Sequence, residues 1–180
     1  MAKATSAGLA LVLLAGAALA TYAWRLPGNA LAFDSEVQLA LSAPEVWHKL
    51  RDLTLAHHYV PGIERTEIVS QVAEGAGATR RVYSSATDYL VERVESWQPG
   101  EGFAMSLVDD NGLAPLPFAQ AKFSYQILEG EANSTGLQVR LVATLRGGRL
   151  GEWIGKSLLA APLQARVDAV AEGLKLFYEQ

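Results

Sequence analysis

The residues able to do chemistry are few, and most are polar groups set on apolar strand faces. Between Tyr89 and Trp97 the alternation puts Leu90, Glu92, Val94 and Ser96 on one face; between Ala78 and Tyr83 it puts Arg80 with Val82. If these two strands are hairpin neighbours, Arg80 and Glu92 look into the same interior. An isolated buried carboxylate is costly, so an inward Glu92 needs a cation, and Arg80 is the best candidate. A register slip of one residue would exchange the faces and substitute Arg81 or Arg93. Such a pair either braces the core or faces a ligand. Tyr125, amid Ala121, Phe123 and Ile127, adds a hydroxyl to an apolar wall, as a packed core tyrosine or as a ligand contact.

The histidines are His48, His57 and His58. His48 is expected on the wet face of a first helix. The adjacent pair His57-His58 cannot chelate one metal in the usual geometry, and neither an HExxH nor a carboxylate at ligand spacing accompanies it, so no metal site is expected. One of the two is a candidate to point inwards near Pro61, where an imidazole could act as a general base near neutral pH. The chain has no cysteine, which excludes disulfides, thiolate nucleophiles and thiolate metal sites. There is no GxSxG nucleophile, and Gly75-Ala76-Gly77 lacks the third glycine and following helix of a nucleotide loop. No catalytic set and no cofactor are expected.

The elements that must position these residues follow from periodicity. The 180 residues are 50% hydrophobic and 19% charged, enough for one domain with a core and wrong for a disordered chain. A net charge of -4 with no basic tract argues against nucleic acid as a partner. Phe33 to Leu41 alternates with period two. Ser42-Ala43-Pro44-Glu45 then carries a capping box and an early proline, opening a helix over Pro44 to Arg51. A second short helix is expected around Leu53 to Tyr59. Strands are expected at Arg65 to Val72, Thr79 to Tyr83, Tyr89 to Trp97, Phe103 to Val108, Ala119 to Ile127 and Leu137 to Leu145, with turn residues between them. After Gly147-Gly148 the period becomes helical: Trp153, Ile154, Leu158 and Leu159, then Leu163, Val167, Val170, Leu174 and Phe177. Pro162 is expected to kink or split that helix. Consecutive strands apolar on one face, followed by a long amphipathic helix, make an α+β helix-grip fold: a curved antiparallel sheet wrapped around the C-terminal helix.

The N-terminus stands apart. Lys3, the apolar run Gly8 to Ala20 and the small-residue site Ala18-Leu19-Ala20 fit a signal peptide; continuation through Tyr22 and Trp24 to Arg25 fits an uncleaved membrane anchor equally well. Residues 1–25 are therefore read as leader or anchor, 26–32 as linker and 33–180 as the domain. Either reading puts the domain outside the cytoplasm, in the periplasm or on the membrane.

The strand Phe33 to Leu41 followed by Ser42-Ala43-Pro44-Glu45-Val46-Trp47 resembles the opening of the START-like (SRPBCC) superfamily of polyketide cyclases, dehydrases and lipid-transport proteins. His58-Tyr59-Val60-Pro61-Gly62-Ile63, Gly77 to Arg81, Val91 to Glu95 and Leu116-Pro117-Phe118 resemble later segments in the same order. The resemblance implies a deep apolar cavity between sheet and helix, binding sterols, lipids, polyketides or similar molecules. Candidates to line it are His57, His58 and Tyr59 beside the second helix, Arg80 and Glu92 on the middle strands, Phe123, Tyr125, Val139 and Leu141 on the later strands, and Val167, Val170 and Leu174 on the helix. The first functional expectation is binding or transport of a hydrophobic small molecule or lipid. The alternatives are a cyclase or dehydratase using His57 or His58 with Glu92 or Tyr125, and a membrane-associated assembly factor with a filled cavity.

Overall fold

Period-two patterning in the sequence becomes one seven-stranded antiparallel sheet of order β1-β7-β6-β5-β4-β3-β2. The computed structural model describes residues 26–128, 130 and 134–180; the segment read as leader or anchor lies outside them. Strand β1 (Pro27–Leu39) leads into helix α1 (Ala43–Leu50), a 3-10 turn (Leu53–Leu55) and helix α2 (Ala56–Tyr59). Strands β2 (Arg65–Ile68), β3 (Thr79–Tyr83), β4 (Tyr89–Gln98), β5 (Gly102–Val108), β6 (Phe118–Leu128) and β7 (Thr135–Arg146) follow. Helix α3 (Gly148–Ile154), a π turn (Gly155–Leu159) and helix α4 (Ala160–Tyr178) complete the chain. This is the helix-grip arrangement expected from the patterning.

Local chemistry explains the boundaries. Glu45 accepts hydrogen bonds from the Ser42 N–H (2.9 Å) and hydroxyl (2.6 Å) at the start of α1, the capping residues read in the sequence. Gly147 and Gly148 both have positive φ, which lets β7 turn sharply into α3. Pro162 cannot donate to the carbonyl of Leu158 one turn back, and the helix widens into its π turn just before it. The core lies between the concave sheet and α4, which buries Val167, Val170, Ala171, Leu174 and Tyr178 against it.

Four features differ from the periodicity. The segment 26–32, expected as a linker, is strand from Pro27 onward: Leu31 pairs with Ala143 and is buried, so the sheet takes up this stretch despite its Pro-Gly start. Strand β2 ends at Ile68, four residues early. A bulge at Glu95 shifts the β4–β5 register between Val94 and Ser96, turning Ser96 outwards and Trp97 inwards against Trp47 and Phe103. At the end of α4 the fully covered aromatic is Tyr178, while Phe177 sits at the rim, stacked on His58.

Candidate functional site

The sheet and α4 do not close completely on each other. A cavity of about 200 Å³ remains between the middle strands and the first half of α4. Its wall is made by alternate residues of the strands, Val82, Glu92, Leu107, Phe123 and Tyr125 among them, and by Leu163, Arg166 and Val170 on the helix. The spacing of the last three, three and four residues apart, is one helical face. Beyond Tyr125 the interior is plugged by aromatic rings: Tyr125 against Phe103 (5.1 Å between centroids), Phe103 against Trp97 (5.3 Å) and Trp97 against Trp47 (5.0 Å).

The strongly polar parts of this wall are Arg166 on the helix and Glu92, which is held in an ion pair from behind. Arg80 and Glu92 are directly opposed in the β3–β4 register, and Arg80 Nε donates to Glu92 Oε2 at 2.6 Å. Arg80 is 1% exposed and Glu92 9%. Arg80 Nη1 donates to the Leu53 carbonyl at 2.8 Å, which ties the short helices to the sheet through the same guanidinium. Burial works against the charge on Arg80, but the Glu92 carboxylate, with Tyr59 and Tyr125 nearby, more than offsets it and holds the guanidinium above its ordinary range. Glu92 thus meets the cavity with its carboxylate already bonded to that guanidinium. Burial, reinforced by Tyr59 and Glu92, pushes the Tyr125 phenol well up. Tyr125 is thus a neutral hydroxyl at any physiological pH. Arg80 Nη2 and the hydroxyls of Tyr59 and Tyr178 are buried with no hydrogen-bond partner among the described residues.

Of the residues expected at a cavity, Glu92, Phe123, Tyr125, Leu141 and Val170 line it. Arg80 and Tyr59 stand in the core, and Val139, Val167 and Leu174 pack there without reaching the cavity. His57 and His58 do not reach it. In the single turn of α2 the buried positions are Ala56 and Tyr59, three apart, so the intervening histidines face outwards. His57 Nδ1 lies 3.0 Å from the Thr54 carbonyl, and His58 stacks on Phe177. The acid–base role weighed for them has no geometry behind it.

The sequence reading missed Arg166 and Leu163. Arg166 Nη1 donates to the Pro61 carbonyl at 2.5 Å, pinning α4 to the segment after α2 at the side of the cavity. Its helical offset from Leu163 and Val170 was the available signal. Phe118 was also missed, because a register shift between Phe118 and Gln120 hides it from the β6 alternation. Chemically the site offers an apolar enclosure with a neutral phenol, a paired carboxylate and one guanidinium in its wall. That suits an apolar molecule carrying a single hydrogen-bonding group.

The fold is shared with solved proteins of low sequence identity. The Zhui aromatase/cyclase from Streptomyces sp. R1128 is 19% identical, with 84% of this chain and 94% of that one covered and a TM-score of 0.65. Truncated norcoclaurine synthase from Thalictrum flavum is 15% identical over 82% of this chain and 94% of that one, TM-score 0.60. Ara h 8.0201 is 14% identical over 81% and 98%, TM-score 0.56. No curated protein sequence matches significantly. The family model described as polyketide cyclase / dehydrase and lipid transport matches residues 30–178, nearly all of the described structure. The chain belongs to that family.

Proposed function

We propose that the protein binds a hydrophobic small molecule in the cavity between the sheet and α4, outside the cytoplasm. The observation that carries this reading is the cavity: about 200 Å³ of half-open, mainly apolar space between sheet and helix that the side chains leave unfilled. A concave, mainly apolar recess with a few polar groups in its wall is the usual form of a small-molecule site. An apolar cavity of roughly 150 Å³ takes up benzene. By that measure a one- or two-ring compound or a short acyl chain fits here, and a long acyl chain would extend out of the mouth. The ligand's apolar body would lie against Val82, Phe123, Leu141 and Val170, with its polar group directed to Tyr125 or Glu92. The leader or anchor read in residues 1–25 supports delivery of the domain across a membrane.

Organic extraction of the purified full chain, followed by mass spectrometry, should release a co-purified hydrophobic compound. Ala121→Trp, which fills the cavity from β6, should abolish that compound and the uptake of a naphthalene-type fluorescent probe. No extractable compound, together with probe uptake unchanged by Ala121→Trp, would remove the ligand reading. A reporter fused after Gln180 should be active only outside the cytoplasm.

A further inference from the structure

The first part of the C-terminal helix is turned the wrong way round for a core element. Its contact with the sheet is made by glycines. A Cβ on Gly151 would lie 1.8 Å from the Arg146 carbonyl oxygen, and one on Gly155 would lie 2.8 Å from Leu31 Cδ1 and 2.9 Å from Leu145 Cδ1. Trp153 and Leu158, which the periodicity set with the core-facing residues, point outwards instead, 62% and 66% exposed, and Leu150 is 60% exposed beside them. Leu150, Trp153, Ser157 and Ala161 are three, four and four residues apart, and with Leu158 beside Ser157 they form an exposed stripe. Beside the stripe runs a polar sector of Arg149, Glu152 and Lys156, in which Glu152 is already engaged by Lys156 (2.6 Å) and Asn29 (2.9 Å).

Two further observations say what covers this stripe. The Gly148 N–H donates to the Leu26 carbonyl at 2.8 Å, so the apolar N-terminal segment of the sequence joins the domain at the start of this helix. That segment ends in Trp24-Arg25. A tryptophan with cations close by is the composition of a lipid–water interface, and Trp153 with Arg149 and Lys156 repeats it on the domain. The cavity also lies at this end. The Arg146 N–H donates to the Pro117 carbonyl at 3.0 Å, which places the exposed Leu116 at the same corner, and Leu163 and Arg166, five and eight residues beyond Leu158, line the cavity. No helix among the described residues is long and apolar enough to cross a membrane, so the stripe would lie on a bilayer rather than span it.

We infer that the face formed by Leu150, Trp153, Ser157 and Leu158 docks on the surface of a lipid bilayer, next to the point where the N-terminal segment enters the domain. The apolar stripe enters the acyl boundary while Arg149 and Lys156 meet the phosphates.

The test uses the absence of cysteine. The full chain carrying Trp153→Cys, with Ser157→Cys as a second position in the stripe and Glu172→Cys as an exposed control on α4, is labelled with an environment-sensitive fluorophore. Each protein is reconstituted with vesicles of phosphatidylcholine and phosphatidylglycerol. The labels at 153 and 157 should shift to the blue and be quenched several-fold more by a spin-labelled lipid than the label at 172. The label at 172 should respond mainly to aqueous iodide. Stripe labels that behave like the control overturn the inference. So do stripe labels shielded from both quenchers that show energy transfer between copies, because the stripe is then covered by a second protein molecule.

Discussion

Arg80 and Glu92 meet across the β3–β4 pair with the guanidinium bonded at once to a carboxylate on its own sheet and to the Leu53 carbonyl outside it. One buried cation therefore joins the sheet to the short helices. Arg80→Met and Glu92→Leu should each cost roughly 3–5 kcal/mol, because either leaves a charge stranded. Arg80→Met combined with Glu92→Leu should recover much of that loss. Urea denaturation of the four proteins gives the cycle; additive losses would reject the coupling.

The raised phenols set an alkaline limit. Tyr125 and Tyr178 both hold their protons above the ordinary tyrosine range, chiefly through burial. The folded state then binds more protons than the unfolded chain once the pH passes about 10, where exposed tyrosine ionises. Their contribution is complete below that pH and declines above it, by up to about 1.4 kcal/mol per pH unit for each group. Stability measured from pH 8 to 11 should fall over the last unit, and Tyr125→Phe should make that fall shallower. An unchanged slope in Tyr125→Phe would show that its phenol titrates normally.

The hydroxyl of Tyr59 is buried and has no hydrogen-bond partner among the described residues. Removing such a group relieves a desolvation cost, so Tyr59→Phe is expected to be neutral or stabilising by roughly 1 kcal/mol at pH 7. A clear drop in Tm would mean that the hydroxyl has a partner, with Arg80 Nη2 the first to examine.

On α4, Leu174 is fully buried and Leu176, two residues on, is 60% exposed. Leu174→Ala should cost about 2–5 kcal/mol and Leu176→Ala less than about 0.5 kcal/mol. Equal effects would contradict the face that α4 turns to the sheet.

Gly173 lies on that helix where a Cβ would fall 2.1 Å from the Tyr59 carbonyl oxygen. Alanine would gain about 1 kcal/mol in helix propensity, yet the backbone it meets cannot give way cheaply, and overpacking costs roughly 1–3 kcal/mol. Gly173→Ala is expected to lower Tm; a rise would show that α2 can move away from α4.

The antiparallel succession of strands and the Arg80–Glu92 partnership were legible because alternation survives in β3, in β4 as far as Val94 and in β7, where one face is buried and the other wet; the pairing of β1 with β7 was not among the expectations. Legibility failed where a single extra residue breaks the period, at Glu95 in β4 and before Gln120 in β6, because a bulge leaves no mark in composition. It failed differently for His57 and His58: in a helix of one turn the inward face is chosen by Ala56 and Tyr59, and two neighbouring residues cannot share it. Trp153 and Leu158 were read as part of the apolar helical period, and they face the opposite direction. Periodicity reports that a face is apolar, and only the glycines opposite it tell which side meets the sheet.

The sheet has two outer edges, and they are defended unequally. Strand β2 is four residues long and exposes Arg65 and Glu67, a poor template for another chain. Strand β1 is thirteen residues long, and the C-terminal helix occupies its rim: Gln164 donates to the Asp34 carbonyl at 2.9 Å, and the Ala40 N–H, just past the strand, donates to Glu179 at 3.2 Å. The helix that covers the concave face thus also consumes hydrogen-bonding groups that would recruit a foreign strand. A chain clipped near Gly147 would expose an apolar face and a long pairing edge in the same event. Its expected fate is edge-to-edge β-aggregation, so intactness of the C-terminus protects solubility as well as the fold.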